Sequence, residues 1–252
     1  HLLSEAIPNS VPRNQRSPRH VPQGLIAECI TGSPFCAPRG ENMCTWLYRL
    51  HPSVGTHGAF RPLVHPTIQG DFCCPGGYFT PEPVRWFTPP EPKAEAEKRD
   101  FVESLVTLAG SGNPMSTKGL AIHTYSCNKD MVNRSFYNSD GDLLVIPELG
   151  GLNVQTEFGF LRVNPGEIFV LPRGLKMTVT LPDGQARGFV GELMESTHFS
   201  LPNLGPIGSN GLASARHFLV PTAAFEDRAC AGYEIISKFG GDLFAASMEY
   251  SP

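Results

Sequence analysis

Residues 151–193, GLNVQTEFGFLRVNPGEIFVLPRGLKMTVTLPDGQARGFVGEL, spell a succession of short strands separated by turns. GLNVQTEF (151–158) meets FLRVN (160–164) across Gly159, which reads as a tight hairpin. EIFVLP (167–172) follows the Asn164-Pro165-Gly166 turn, LKMTVTL (175–181) comes next, and ARGFVGEL (186–193) follows the Pro182-Asp183-Gly184 turn. Immediately upstream, LAIHTYSC (120–127) alternates polar and apolar residues, and DLLVIPE (142–148) is a run suited to a buried strand. Six or seven strands with turn signals every 8–12 residues describe an antiparallel β-sandwich or jelly roll. Beyond 193, a loop-rich segment (200–232) precedes two more strand spellings, YEIISKF (233–239) and LFAAS (243–247).

Toward the N-terminus the pattern dissolves. Residues 93–109, KAEAEKRDFVESLVTLA, place Phe101, Leu105 and Leu108 on one stripe and predict a helix, although LVTLA could equally be a strand. Residues 51–92 are rich in Pro and Gly and read as a long functional or interface loop, behind a short strand at 46–50. Pro8, Pro12, Pro18, Pro22, Pro34 and Pro38 make residues 1–45 an extended arm, because proline fixes φ and donates no hydrogen bond. The expected architecture is therefore mainly β: an arm over 1–45, then a sandwich domain over 46–252 with one or two short helices and long loops at 51–92 and 200–216.

Composition narrows the function. Of 252 residues, 40% are hydrophobic and 10% aromatic, which excludes global disorder, and 26 Gly with 24 Pro disfavour a helix bundle. With 17% charged residues and a net charge of -4, no basic patch calls for nucleic acid or an anionic membrane. The seven cysteines (Cys29, Cys36, Cys44, Cys73, Cys74, Cys127, Cys230) contain no C-x-x-C and suggest reduced thiols in a cytoplasmic setting. No apolar run reaches 18 residues, and His1-Leu2-Leu3-Ser4-Glu5 is not a secretory signal. Phosphate-binding glycine motifs and the G-x-S-x-G elbow are missing.

Metal chemistry is the remaining question, since jelly rolls carry many mononuclear iron and manganese sites built from two imidazoles and a carboxylate. H-x-H is absent, and residues 142–193 contain no histidine; where a metal-binding cupin places its first ligands stand Leu143, Leu144, Val145 and Ile146. The barrel interior is accordingly expected to be apolar and empty of metal. His51, His57 and His65, with Asp71 and Cys73-Cys74, form a loose candidate ligand set, but their spacing matches no local ligand motif. His123 is expected to hydrogen-bond within its sheet; His198 and His217 flank the 200–216 loop and could face a neighbouring subunit. Asp140, Asp142 and Glu148 are candidate acid–base carboxylates, but Ser139-Asp140-Gly141-Asp142 is also a typical turn. Glu192 and Glu195 read as surface positions.

Three passages together resemble one family. TGSPFCAPRGENMCTWLYRLHPS (31–53), GLAIHTYSCNKDMVNRSFYNSDGDLLVIPELGGLNVQTEFGFLRVNPGEIFVLPRG (119–174) and LPNLGPIGSNGLASARHFLVP (201–221) are similar to the N-terminal part of the homogentisate 1,2-dioxygenase family. The ordered series FYNSDGD, TEFG, N-P-G-E-I and LGPIGSNGLA carries the resemblance, which runs from about residue 25 through GGDLFAASMEYSP. The resemblance implies a cupin-like jelly roll and, for a longer parent, Fe(II)-dependent ring opening of homogentisate with O2 to maleylacetoacetate in tyrosine and phenylalanine catabolism. It also implies trimers that pair into hexamers. In that family a His followed six positions later by a Glu, with a later His, holds the iron in a C-terminal part. Only His65 with Asp71 has such spacing here, and it lies where the family places no ligand. The expectation is a fragment without the catalytic C-terminal domain, with no catalytic, cofactor-binding or metal residue of its own, that serves as scaffold and oligomerisation domain. The alternative is a stand-alone, non-catalytic cupin-like domain that binds a small ligand or a protein.

Overall fold

The computed structural model describes residues 24–31, 44–52, 56–73, 97–195, 198–200 and 217–252, with short pieces at 7–8, 37–38, 42, 81–83 and 85. Its described strands are β1 (Ile26–Thr31), β2 (Cys44–Arg49), β3 (Arg61–Leu63), β4 (Val106–Asn113), β5 (Lys118–Cys127), β6 (Arg134–Asn138) and β7 (Asp142–Leu149). They continue with β8 (Leu152–Thr156), β9 (Gly159–Val163), β10 (Phe169–Leu171), β11 (Met177–Thr180), β12 (Ala186–Leu193), β13 (Ala229–Phe239) and β14 (Asp242–Tyr250). A five-stranded sheet, β10-β7-β12-β5-β4, faces a seven-stranded one, β3-β14-β13-β6-β11-β8-β9, while β1 and β2 pair as a separate ribbon. The pairings are antiparallel except β13 beside β6. This is the mainly-β, two-layered sandwich that the strand spellings anticipate.

Alternation explains the core. Along β8 the inward positions are Leu152, Val154 and Thr156; along β11 they are Met177 and Val179, all buried. They pack with Phe136 and Ile236 of the same sheet against Tyr125, Val145 and Val190 of the other. A smaller apolar cluster of Tyr233, Ile235 and Met248 forms on the opposite side of β13, so β13 carries buried apolar residues on both of its sides. Burying an aliphatic side chain in such a core contributes about 1.5–3 kcal/mol.

The expected hairpin is formed, with its turn at Glu157-Phe158 and Gly159 as the first residue of β9. Gly159 has φ +120°, and a Cβ there would lie 1.9 Å from the carbonyl oxygen of Thr222, against which the neighbouring Phe160 makes an isolated bridge. Gly159→Ala is therefore expected to cost on the order of 1–3 kcal/mol or more, read as a lower urea midpoint.

Three expectations differ from the structure. The helix expected over 93–109 is not formed where it is described: residues 93–96 lie outside the described residues, Asp100–Leu105 make one turn, and β4 begins at Val106. Asp100 and Glu103 cap one another, each side chain accepting the other's backbone N–H at 2.9 and 3.1 Å. The β-branched pair Val106-Thr107 then joins β5. Within the expected loop 51–92, β3 pairs with β14, and its Pro62 is tolerated because β3 is an edge strand. Within the expected arm 1–45, Ile26–Thr31 pairs with β2; most of the proline-rich remainder, and the loop 200–216, lie outside the described residues.

Candidate functional site

The inner face of the sandwich is not uniformly apolar. β12 directs Ala186, Gly188, Val190 and Glu192 inward, and β5 directs Ala121, His123, Tyr125 and Cys127 to the same face. From the opposite sheet, Ile236 lies beside Phe136, and two residues on Lys238 lies beside Asn138. His123, Glu192, Asn138 and Lys238 thus converge between the layers, each less than 5% exposed.

The Glu192 carboxylate accepts hydrogen bonds from Lys238 Nζ (2.8 Å), Asn138 Nδ2 (2.7 Å) and His123 Nε2 (3.0 Å). Because a carboxylate only accepts, His123 carries its proton on Nε2, and Thr107 Oγ1 lies 2.9 Å from Nδ1. Lys238 Nζ also donates to Asp140 Oδ2 at 2.8 Å, and Asp140 accepts the backbone N–H groups of Gly240 and Gly241 at 2.7 and 2.9 Å. Burial pushes the Glu192 carboxyl up, but the His123 hydrogen bond and the Lys238 charge outweigh it and hold it at about 2. Burial pulls Lys238 down, and the Glu192 and Asp140 charges reverse that, raising it above its ordinary value.

This arrangement disfavours chemistry. Lys238 is held as an ammonium, so it is no amine nucleophile, and Glu192 is held ionised, so it is no general acid near neutrality. The residues do not fit a metal either: the ammonium stands between the two carboxylates that would be ligands, and no group of three or more His, Cys, Asp and Glu that could hold an ion occurs among the described residues. Phe101, Leu105, Phe136, Leu143 and Val190 close over His123, Glu192 and Lys238, leaving a cavity of about 10 Å3, room for about one water molecule.

The sequence candidates fall elsewhere. His51 stacks on Tyr250 with ring centroids 4.2 Å apart, His57 lies against Phe60, and His65 contacts the Val102 carbonyl at 3.0 Å. Burial lowers His65, partly offset by that carbonyl. Asp71 accepts the Cys73 N–H, while Cys74 lies outside the described residues; among the described residues, no ligand cluster forms around this set. His123 does hydrogen-bond within its sheet, to Glu192 on the neighbouring strand. Asp140 and Asp142 are more than turn residues: Asp140 belongs to the ionic cluster, and buried Asp142 accepts His198 Nδ1 at 3.0 Å and the Arg173 N–H at 2.9 Å. Glu148 pairs with Arg187, and His217 and Glu195 are exposed. Glu192, expected at the surface, is fully buried. Its place on the inward alternation of ARGFVGEL, after Ala186, Gly188 and Val190, is the signal that would have found it, and the sequence reading did not use it. Lys238, on the inward register of YEIISKF, was not singled out by sequence.

A family model described as "Homogentisate 1,2-dioxygenase N-terminal" matches residues 1–252. "Homogentisate 1,2-dioxygenase" of Oryza sativa subsp. japonica is 48% identical over 255 residues, and that of Arabidopsis thaliana 45% over 254. Both alignments cover 100% of this chain and 54% of the relative, so the chain spans about half the length of the curated relatives it matches. Among solved structures, a cupin superfamily protein from Desulfitobacterium hafniense is 13% identical with a TM-score of 0.32, over 44% of this chain and 100% of that one. An RmlC-like cupin family protein from Methanocaldococcus jannaschii gives 18% and 0.31, over 47% and 95%. The full-length family match and the close identity to both plant proteins show that the chain belongs to the homogentisate 1,2-dioxygenase N-terminal family.

Proposed function

We propose that this chain is the scaffold half of a cytoplasmic homogentisate 1,2-dioxygenase: it folds, assembles copies of the parent, and supports a reaction carried out by other parts of that protein. The observation that carries this reading is the close packing around the buried cluster, among the described residues. An aromatic acid needs a cleft of several hundred Å3, and the space beside His123, Glu192 and Lys238 admits about one water. The parent's Fe(II) supplies the oxygen activation, and the residues described in this chain do not fit it. Membership of a family whose curated relatives are nearly twice as long supports a division of labour between two halves.

Assembly of copies is supported by the outer face of the five-stranded sheet. Leu120, Ile122, Ile146, Val170 and Phe189 project from it, each 38–46% exposed, and a contiguous apolar face of this kind marks an association surface. No described helix is long and apolar enough to cross a membrane.

The test is to purify residues 1–252 and the full parent, load both with Fe(II), and measure bound iron, O2 uptake with homogentisate and solution mass. The expected result is turnover to maleylacetoacetate by the parent only, with residues 1–252 sedimenting above the monomer mass. Iron-dependent ring opening by residues 1–252 alone would place the chemistry within this sandwich and overturn the proposal.

A further inference from the structure

Cys29 and Cys44 stand on the paired strands β1 and β2, where Cys29 is opposite Trp46 and Cys44 opposite Thr31, so the two thiols are diagonal neighbours. Their sulfurs are 3.0 Å apart and both residues are exposed thiols. A disulfide bond is about 2.05 Å long, so bonding requires an approach of only about 1 Å from residues already held in register by the ribbon. We propose that Cys29 and Cys44 are a reversible redox pair, closed to a disulfide by a hydroperoxide and reopened by a thiol.

The balance is simple. One sulfur attacks a peroxide oxygen, the O–O bond breaks, the attacked oxygen stays on that sulfur as a sulfenic acid, and the other oxygen leaves as water (or alcohol). The second sulfur then displaces the hydroxyl group, taken up with its proton as a further water, and the S–S bond forms: two thiols are oxidised and one peroxide is reduced. The hydrogen bond between the sulfurs raises Cys29 above the ordinary thiol range, so Cys29 rests as the protonated thiol. Exposure sets the selectivity against Cys127: that thiol is enclosed in the core, where burial pushes it up to about 12 and thiols are inert.

The bond would act on how the ribbon is held. Arg49, the last residue of β2, reaches Glu157 at 2.8 Å in the turn between β8 and β9 and lies 3.6 Å from Glu28 of β1. Cross-linking residues fifteen positions apart in the chain therefore closes the outer end of a ribbon whose other end is already tied to the sandwich. This inference stands independently of the scaffold role.

The reduced 252-residue chain is treated with hydrogen peroxide, its remaining thiols are blocked with N-ethylmaleimide, and it is digested without reduction for mass spectrometry. Expected is a Cys29–Cys44 linked peptide pair, two hydrogens lighter than the separate peptides, lost on adding dithiothreitol and absent in Cys29→Ser and Cys44→Ser. Amide exchange in 26–31 and 44–49 slows several-fold in the oxidised wild type only. Cys127 remains alkylatable after unfolding. Recovery of both cysteines as alkylated or sulfinic species, or of either one linked to Cys73 or another chain, would overturn the pairing; a cross-link that leaves exchange unchanged would overturn the clamp.

Discussion

Lys238→Met is expected to destabilise the sandwich by about 3–5 kcal/mol, read from urea denaturation as a lower midpoint at unchanged slope. Methionine reproduces the lysine stem as far as Cε, so most of the packing is conserved while the ammonium is lost. What remains is Glu192, fully buried and deprived of its cation, beside an Asp140 that keeps only its two glycine amides. Removing one partner of a buried ion pair costs far more than the pair contributes, because the other charge stays out of water. Lys238→Met combined with Glu192→Gln should therefore recover much of the loss, with a coupling of at least about 1 kcal/mol in the double-mutant cycle. A single-variant loss below about 1 kcal/mol, within the range of exposed pairs, would show that water reaches the cluster.

Acid is expected to unfold this chain through the same carboxylate. Glu192 has an ordinary value of 4.5 and is held at about 2 in the folded chain. A depressed carboxylate contributes stability that is present above its unfolded pKa and lost as pH falls toward its folded pKa. The contribution is thus complete at neutral pH, declines from about pH 4.5 and is gone near pH 2, on the order of 3 kcal/mol in all. Glu157 is also lowered, burial being outweighed by the Lys176 and Arg49 charges, and it acts in the same direction. Stability measured by urea from pH 7 to 2 should therefore fall steeply in wild type, and more gently in Glu192→Gln, whose remaining slope reports Glu157 together with Glu103 and Glu226, which are also lowered. At the alkaline end Lys238 has the opposite sign: its raised value contributes stability below the ordinary lysine pKa that is lost as pH rises through the folded one. Equal acid slopes in wild type and Glu192→Gln would show that Glu192 is not held ionised.

Much of the sandwich is legible in sequence because alternation and turn chemistry agree there. ARGFVGEL coincides with β12, and DLLVIPE and LKMTVTL contain or overlap β7 and β11. β6, Arg134–Asn138, escapes because RSFYN is short and largely polar; its place is fixed by β13 and β11 on either side rather than by its own spelling. The charged run before β4 imitates a helix start, and its capping pair does close a turn, but the following residues gain more by pairing with β5. The ionic cluster was half visible. His123 fell on an alternating strand, whereas Glu192 and Lys238 looked like ordinary surface charges until register showed which neighbours share their face. Charge type alone cannot reveal this, because a buried ion differs from a solvated one only through partners distant in the chain, here 46 positions apart for Lys238 and Glu192.

The parallel pairing of β13 with β6 sets an order of events during synthesis. Strand β6 ends at Asn138, yet its neighbour starts at Ala229, and β3 reaches the large sheet only through β14. A nascent polypeptide that has emerged as far as β12 can complete the five-stranded layer but must leave one edge of β6 open and β3 without a partner. Such an edge invites association with other unfinished chains, and closing it late, across some hundred residues, makes maturation slow. The final hairpin is thus the keystone of the larger layer, and ribosome-bound intermediates halted before it are the species most in need of chaperone cover.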